Sequence, residues 1–323
     1  MRRAFSALLV FFGLMGGALA QGYPSGPVTM VIPFAAGGPT DVLGRIVAES
    51  MSRFLGQSVV VENVGGAGGM TGSSRVAKSK PDGMTILIGT VGTHAQNQTL
   101  YAKPQYDAIA DFDPVALIAE VPLVLTSKKA LPASNLKEFM ALVKSEGTKL
   151  NFGSAGNGSA THLGCVLLNS AIGSQAAHVP YRGSGPAMND LISGQLDYMC
   201  DTVTASVPQI QAGTIKPIAY LGGERSPVLP DLPTAKEQGL QGFEAYTWNA
   251  VFVAKGTPAD IIKKLNDASV YATKDPMVKE RLGKLGAQIV APERTTSAYL
   301  AGFVKSEIQK WEGPIKASGA RVE

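Results

Sequence analysis

Short apolar runs that end in a glycine-rich turn and open directly into an amphipathic helix recur along this chain, and few folds accommodate them. The first spans residues 28–49, VTMVIPFAAGGPTDVLGRIVAE. Residues 28–34 read as a buried strand ending at Phe34. Ala36, Gly37, Gly38 and Pro39 make the turn, and Thr40 or Asp41 can cap the helix. Val42, Leu43, Ile46 and Val47 follow at helical spacing, with Arg45 and Glu49 on the other face. Such a turn leaves backbone N–H groups free at a helix N-terminus, where the macrodipole adds partial positive charge. The result is an anion site with no cationic side chain, although a tight turn that binds nothing is the plainer reading of these residues alone.

The unit repeats. Residues 58–63 read as a second strand, and GGAGGMTG at 65–72 opens a helix through Ala77. That glycine run lacks the third glycine of the dinucleotide fingerprint and no acidic ribose partner follows, which argues against nicotinamide binding. Residues 84–89 form a third strand, with Thr90, Gly92, Thr93 and His94 at its carboxyl end, where open parallel sheets place ligands. Residues 149–153 lead into SAGNGSATHLG, whose Ser154, Asn157, Gly158, Ser159 and Thr161 offer hydrogen-bonding groups at a second helix start; His162 reads as packing or capping. A third such turn holds Tyr181, Arg182 and Gly183, with Ser184 as expected cap, and the strand at 196–201 ends in Asp201. A short helix is expected at 234–238.

Strands alternating with helices make the chain α/β, with mostly parallel sheets flanked by helices. Residues 121–127 and 243–254 read as two crossovers. Domain 1 is then 21–125 plus 246–323, completed by three C-terminal helical stretches, and domain 2 is 126–245.

Residues 1–20 have the basic start, apolar centre and small-residue Ala18-Leu19-Ala20 site of a signal peptide, so a periplasmic location is expected. Removing Arg2 and Arg3 takes the formal charge from +4 to +2, and the remaining cations are scattered, so nucleic-acid or membrane-surface binding is not expected. Cys165 and Cys200, one in a helical pattern and one at a strand end, are expected as two buried free thiols rather than a disulfide. No nucleophile elbow and no metal spacing among His94, His162 and His178 is present, so no enzyme, metal or cofactor is expected.

The runs PFAAGGPTDVLGRIVAE, VENVGGAGGMTGSSRVAKSKPDGMTILIGT, NFGSAGNGSATHLG, VPYRGSGPAMNDLISGQLD and RSPVLPDLPTAKEQG, in this order, resemble extracytoplasmic solute receptors of the tripartite tricarboxylate transporter type, the Bug proteins. The likeness covers essentially all of the chain after residue 20. It implies a two-domain clamshell of the periplasmic binding-protein fold that holds a small mono- or dicarboxylate between its halves, works as a monomer and serves a membrane permease of that type. A sensor role for a signalling partner would share fold and ligand. By motif match, 34–41 and 154–161 hold one carboxylate, with 90–93 and 181–184 also at the cleft. Candidates for the distal end are His94, Asn97, Tyr181, Arg182, Asp201, Thr202 and Trp248. Cys165, Cys200 and Asn249 depart from the family's usual residues.

Overall fold

The computed structural model describes residues 22–323, so the signal-peptide expectation at 1–20 lies outside the described residues. The first half runs β1 (Val28–Ile32), α1 (Pro39–Leu55), β2 (Val59–Asn63), α2 (Met70–Ala77), β3 (Thr85–Thr90), then a π turn (Gly92–Gln96) passing into the short α3 (Asn97–Leu100). β4 (Phe112–Lys128) leads into α4 (Leu136–Glu146), β5 (Asn151–Ser154), α5 (Ala160–Ile172), β6 (Ala177–Pro180), α6 (Ser184–Ser193), β7 (Tyr198–Thr202), α7 (Val203–Gln211) and β8 (Ile215–Tyr220). The chain returns through β9 (Tyr246–Ala254) to α8 (Ala259–Lys274), α9 (Pro276–Lys284), β10 (Gln288–Ile289) and α10 (Ser297–Ser318).

The long β4 serves both halves. It pairs antiparallel with β9 as far as Pro122, and from Leu123 onward with β7. The strand order is β2-β1-β3-β9-β4-β7-β5-β6. Its outer members pair in parallel, as strand–helix–strand units require, whereas the crossing strands β4 and β9 run antiparallel to their neighbours. The arrangement is the two-domain fold of periplasmic binding proteins. Every strand-to-helix turn that carries a candidate site residue lies at a carboxyl end of this parallel framework, which brings those turns to one cleft.

α1 and α8 cover one face of the first sheet and α10 the other. α10 is fixed there by Glu307, a buried carboxylate that accepts from Tyr246 Oη (2.7 Å), Trp248 Nε1 (3.0 Å) and Trp311 Nε1 (3.1 Å). Among the described residues no helix is long and apolar enough to cross a membrane.

Two expectations are corrected. Cys165 and Cys200 form a disulfide, with Cα atoms 5.3 Å apart, not two free thiols. Cys165 lies on the face of α5 that packs onto the sheet, and Cys200 points from β7 to the same helix, so the two side chains meet in one core. Residues 234–238 form turns rather than a helix, because Thr234 is drawn into a bridge with Tyr220 and Ala235 N–H donates to the Tyr220 carbonyl.

Candidate ligand-binding site

α1 and α5 point their N-termini into one cleft. α1 begins at Pro39 with Gly38 as its N-cap, so neither Thr40 nor Asp41 caps it. The reason is that Asp41 is occupied elsewhere. Its carboxylate accepts from Gly37 N (2.9 Å), Arg45 Nε (3.0 Å) and Asn63 Nδ2 (2.8 Å), which staples the turn to β2. Burial alone would raise the Asp41 pKa, but these donors outweigh it and hold the group below the usual carboxylate range. The first α1 hydrogen bond within the helix comes from Val42 N–H to the Gly38 carbonyl, so the Thr40 and Asp41 amides keep no helical partner.

α5 is capped by Ser159, whose Oγ accepts from His162 N–H (3.2 Å). Thr161 Oγ1 accepts from Ala155 N–H (2.9 Å) and shares a hydrogen bond with Ser159 Oγ (3.1 Å), which folds the turn back on itself. Gly156 and Gly158 take φ values of +115° and +84°, conformations this tight return needs and L side chains rarely adopt.

Between the two N-termini lies a cavity of about 30 Å³, room for about two waters or one carboxylate group. Phe34, Gly38, Pro39 and Thr40 wall it on one side, Ala155, Ser159, Ala160 and Thr161 on the other; Thr90, Thr247, Ser184 and Thr202 complete it. No charged side chain lines it. Larger depressions of about 300 Å³ at the crossover strands and 440 Å³ against α10 are poorer anion sites. The first is lined by Glu120, Glu224 and Glu244, and the second is largely apolar, with Lys310 and Glu244 as its charged groups.

The halves touch around the cavity. Ala35 N–H donates to the Arg182 carbonyl (3.2 Å), and Tyr101 Oη donates to the Asn157 carbonyl (2.8 Å). A Cβ on Gly92 would fall 2.7 Å from the Gly158 carbonyl oxygen, and one on Gly183 would fall 2.9 Å from Ala35 Cβ, so glycine is what lets these backbones meet.

Residues 43–320 match the family described as tripartite tricarboxylate transporter family receptor. The chain belongs to that family. This receptor is 44% identical over 297 residues to an Agrobacterium vitis protein of the TAR-I ttuE-ttuC' intergenic region, a match that spans 92% of this chain and 86% of the relative. Among solved structures it resembles the periplasmic binding protein BugD (TM-score 0.91, 40% identity, 93% of this chain and 100% of that one). It also resembles MatC from Rhodopseudomonas palustris with bound malate (TM-score 0.89, 41% identity, 91% of this chain and 100% of that one).

Not every sequence candidate of this receptor reaches the cavity. Trp248 is buried in the core and donates to Glu307. Its neighbour Thr247 lines the cavity instead, because adjacent residues of a strand face opposite ways. His94 is also a core residue, stacked on Phe252 at 3.8 Å between centroids, with Nδ1 held by Thr93 Oγ1 (2.9 Å). Burial pushes its pKa down to about 3, so the ring is neutral. Thr93 Oγ1 accepts from Thr90 N–H and shapes the end of β3. Tyr181 donates to Asp190, and Arg182 exposes its side chain while its carbonyl serves the inter-half contact. Ala36 and Gly37 are exposed on the rim.

Ser154 is buried behind the turn against His178 Nε2 (2.7 Å), and His162 Nδ1 accepts from Gly158 N–H (3.2 Å). Asn97 faces Gly158 across the cleft with both amide atoms unpartnered. Asn249 stands opposite Thr90 in the ladder, buried, with Nδ2 unpartnered. Asp201 is fully buried one residue before the lining Thr202. Ser184 is not the cap expected of it; Gly183 holds the N-cap position, and Ser184 Oγ donates to Asp201 Oδ1 (2.9 Å).

Proposed function

We propose that this receptor captures a small organic acid, a mono- or dicarboxylate, between its two halves and delivers it to a membrane permease of the tripartite tricarboxylate type, binding without chemistry. The observation that carries this reading is the pair of facing helix N-termini around a cavity with hydroxyl groups and no cationic side chain. The Thr40, Asp41, Ala160 and Thr161 amides would donate to one carboxylate, supplemented by the hydroxyls and bridging water. Malate bound to the related MatC supports the same ligand class.

The halves are assigned as 21–125 with 246–323, and 126–245; the change of β4 partner after Pro122 supports this division. Both walls of the cavity come from one chain, so the site needs no residue of a second copy, and action as a monomer is part of this proposal. A ligand touching both walls stabilises the shut form by its differential contact, which is the signal a permease can read. Thermal shift of the chain from Gln21 onward, against small acids, tests the reading: binding to the folded state must raise the melting temperature. No shift with any carboxylate, on protein refolded free of ligand, refutes it.

A further inference from the structure

We propose that Asp201, acting through Ser184, makes the α6 end of the cavity accept a hydrogen-bond donor of the ligand and refuse a second carboxylate, so that the preferred ligand is a hydroxyl- or amino-substituted acid. This inference rests on the carboxylate-receptor reading and specifies its ligand.

A serine hydroxyl has one proton. That of Ser184 is spent on Asp201 Oδ1 (2.9 Å), so the Ser184 side chain, which lines the cavity, offers it lone pairs only. Thr202 lines the same end; its amide donates to Asp201 Oδ1 (2.7 Å), and its hydroxyl accepts from Thr204 Oγ1 (3.0 Å) while its own proton is drawn to the Asp201 carboxylate.

Charge adds to this. Asp201 sits beside the first residue of α6 and directly before the N-cap of α7, where helix dipoles favour an anion. The protein's own carboxylate fills that role there; the first turn of α1 also carries Asp41, but its carboxylate is turned out of the cavity onto Gly37, Arg45 and Asn63, so the α1 and α5 amides face the cavity with no carboxylate among its lining residues. The ligand carboxylate therefore goes to α1 and α5. A second carboxylate at Ser184 would meet an acceptor backed by a buried negative charge. Asp201 Oδ2 is buried with no hydrogen-bond partner among the described residues, and no cationic group there offsets the charge.

The test measures dissociation constants by calorimetry, near neutral pH, for pairs that differ by one hydroxyl: lactate with propionate, malate with succinate, and 2-hydroxyglutarate with glutarate. The hydroxylated member of the best-bound pair is expected to bind at least roughly tenfold tighter, the size of one hydrogen bond to a charge-backed acceptor. Ser184→Ala should cut that preference to below about threefold. Asp201→Asn, which retains an oxygen for Ser184 and Thr202 but no charge, should tighten the unhydroxylated dicarboxylate. A purely structural Asp201 would change stability and leave the ratio alone. Acids that bind without preference for the hydroxylated member, or a preference that survives Ser184→Ala, overturn this inference and leave the receptor reading standing. If no acid binds, both fall.

Discussion

Removing the Cys165–Cys200 disulfide should cost this receptor several kcal/mol without altering its fold class. The bond closes a loop with a sequence separation of 35 residues, and in the chain-entropy description such a cross-link withholds about 4 kcal/mol of loop freedom from the unfolded state at 25 °C. The native side adds little, because both side chains are fully buried in a core that already includes Leu123, Leu125 and Leu168. The bond also ties α5, which supplies Ser159 and Thr161 to the cavity, to β7, which supplies Thr202. Guanidinium unfolding of the oxidised protein, compared with protein reduced while unfolded and refolded under reductant, reads the difference. We expect a loss of roughly 2–4 kcal/mol and weakened ligand binding. Two thiols titrating in denatured protein that has seen no reductant, or a loss below about 1 kcal/mol, would refute the reasoning.

Three further outcomes follow from single contacts. Gly92→Ala should leave the melting temperature of ligand-free protein nearly unchanged yet weaken ligand binding by roughly tenfold or more, since the new Cβ meets Gly158 only when the cleft is shut; unchanged affinity by calorimetry would contradict this. Glu307→Ala strands three aromatic donors and should destabilise by roughly 3 kcal/mol or more in denaturant titration. Burial raises the Asp201 pKa to about 6, tempered by the Thr202 amide and Ser184 hydroxyl, so the group favours the folded state when protonated and this contribution is lost as pH rises from near 4 through 6. Asp201→Asn should therefore gain stability relative to the native protein on going from about pH 4 to about pH 8, by up to roughly 3 kcal/mol, and a pH-independent difference between the two would count against it.

The parts of the candidate site set by local chemistry were legible in the sequence. The turns at 34–41 and 154–161 announce themselves through their glycines, and the second also through its Ser159 cap; the structure puts both at the cavity. What sequence reasoning missed depends on partners distant in the chain. Thr247 rather than Trp248 faces the cavity because β9 is pinned between β3 and β4, and a strand's facing cannot be read from its own residues when both faces are buried. His94 is drawn into the core by Phe252, far away in sequence. Ser184 reads as a cap until Asp201 is seen beneath it. The disulfide was hidden for the same reason: no local pattern shows that α5 lies over β7. Thr40 and Asp41 look like caps because of their chemistry, and only the contact with Asn63 shows why Asp41 turns back toward β2.

The proposed receptor function rests on facing helix N-termini that hold a carboxylate inside the cleft. Its most direct test is calorimetric titration of ligand-free refolded protein with small organic acids, each compared with its uncharged amide. The account predicts saturable binding of one acid per chain for at least one acid, and none for the matching amide. Binding of the amide as tightly as the acid, or of neither across the panel, would contradict it.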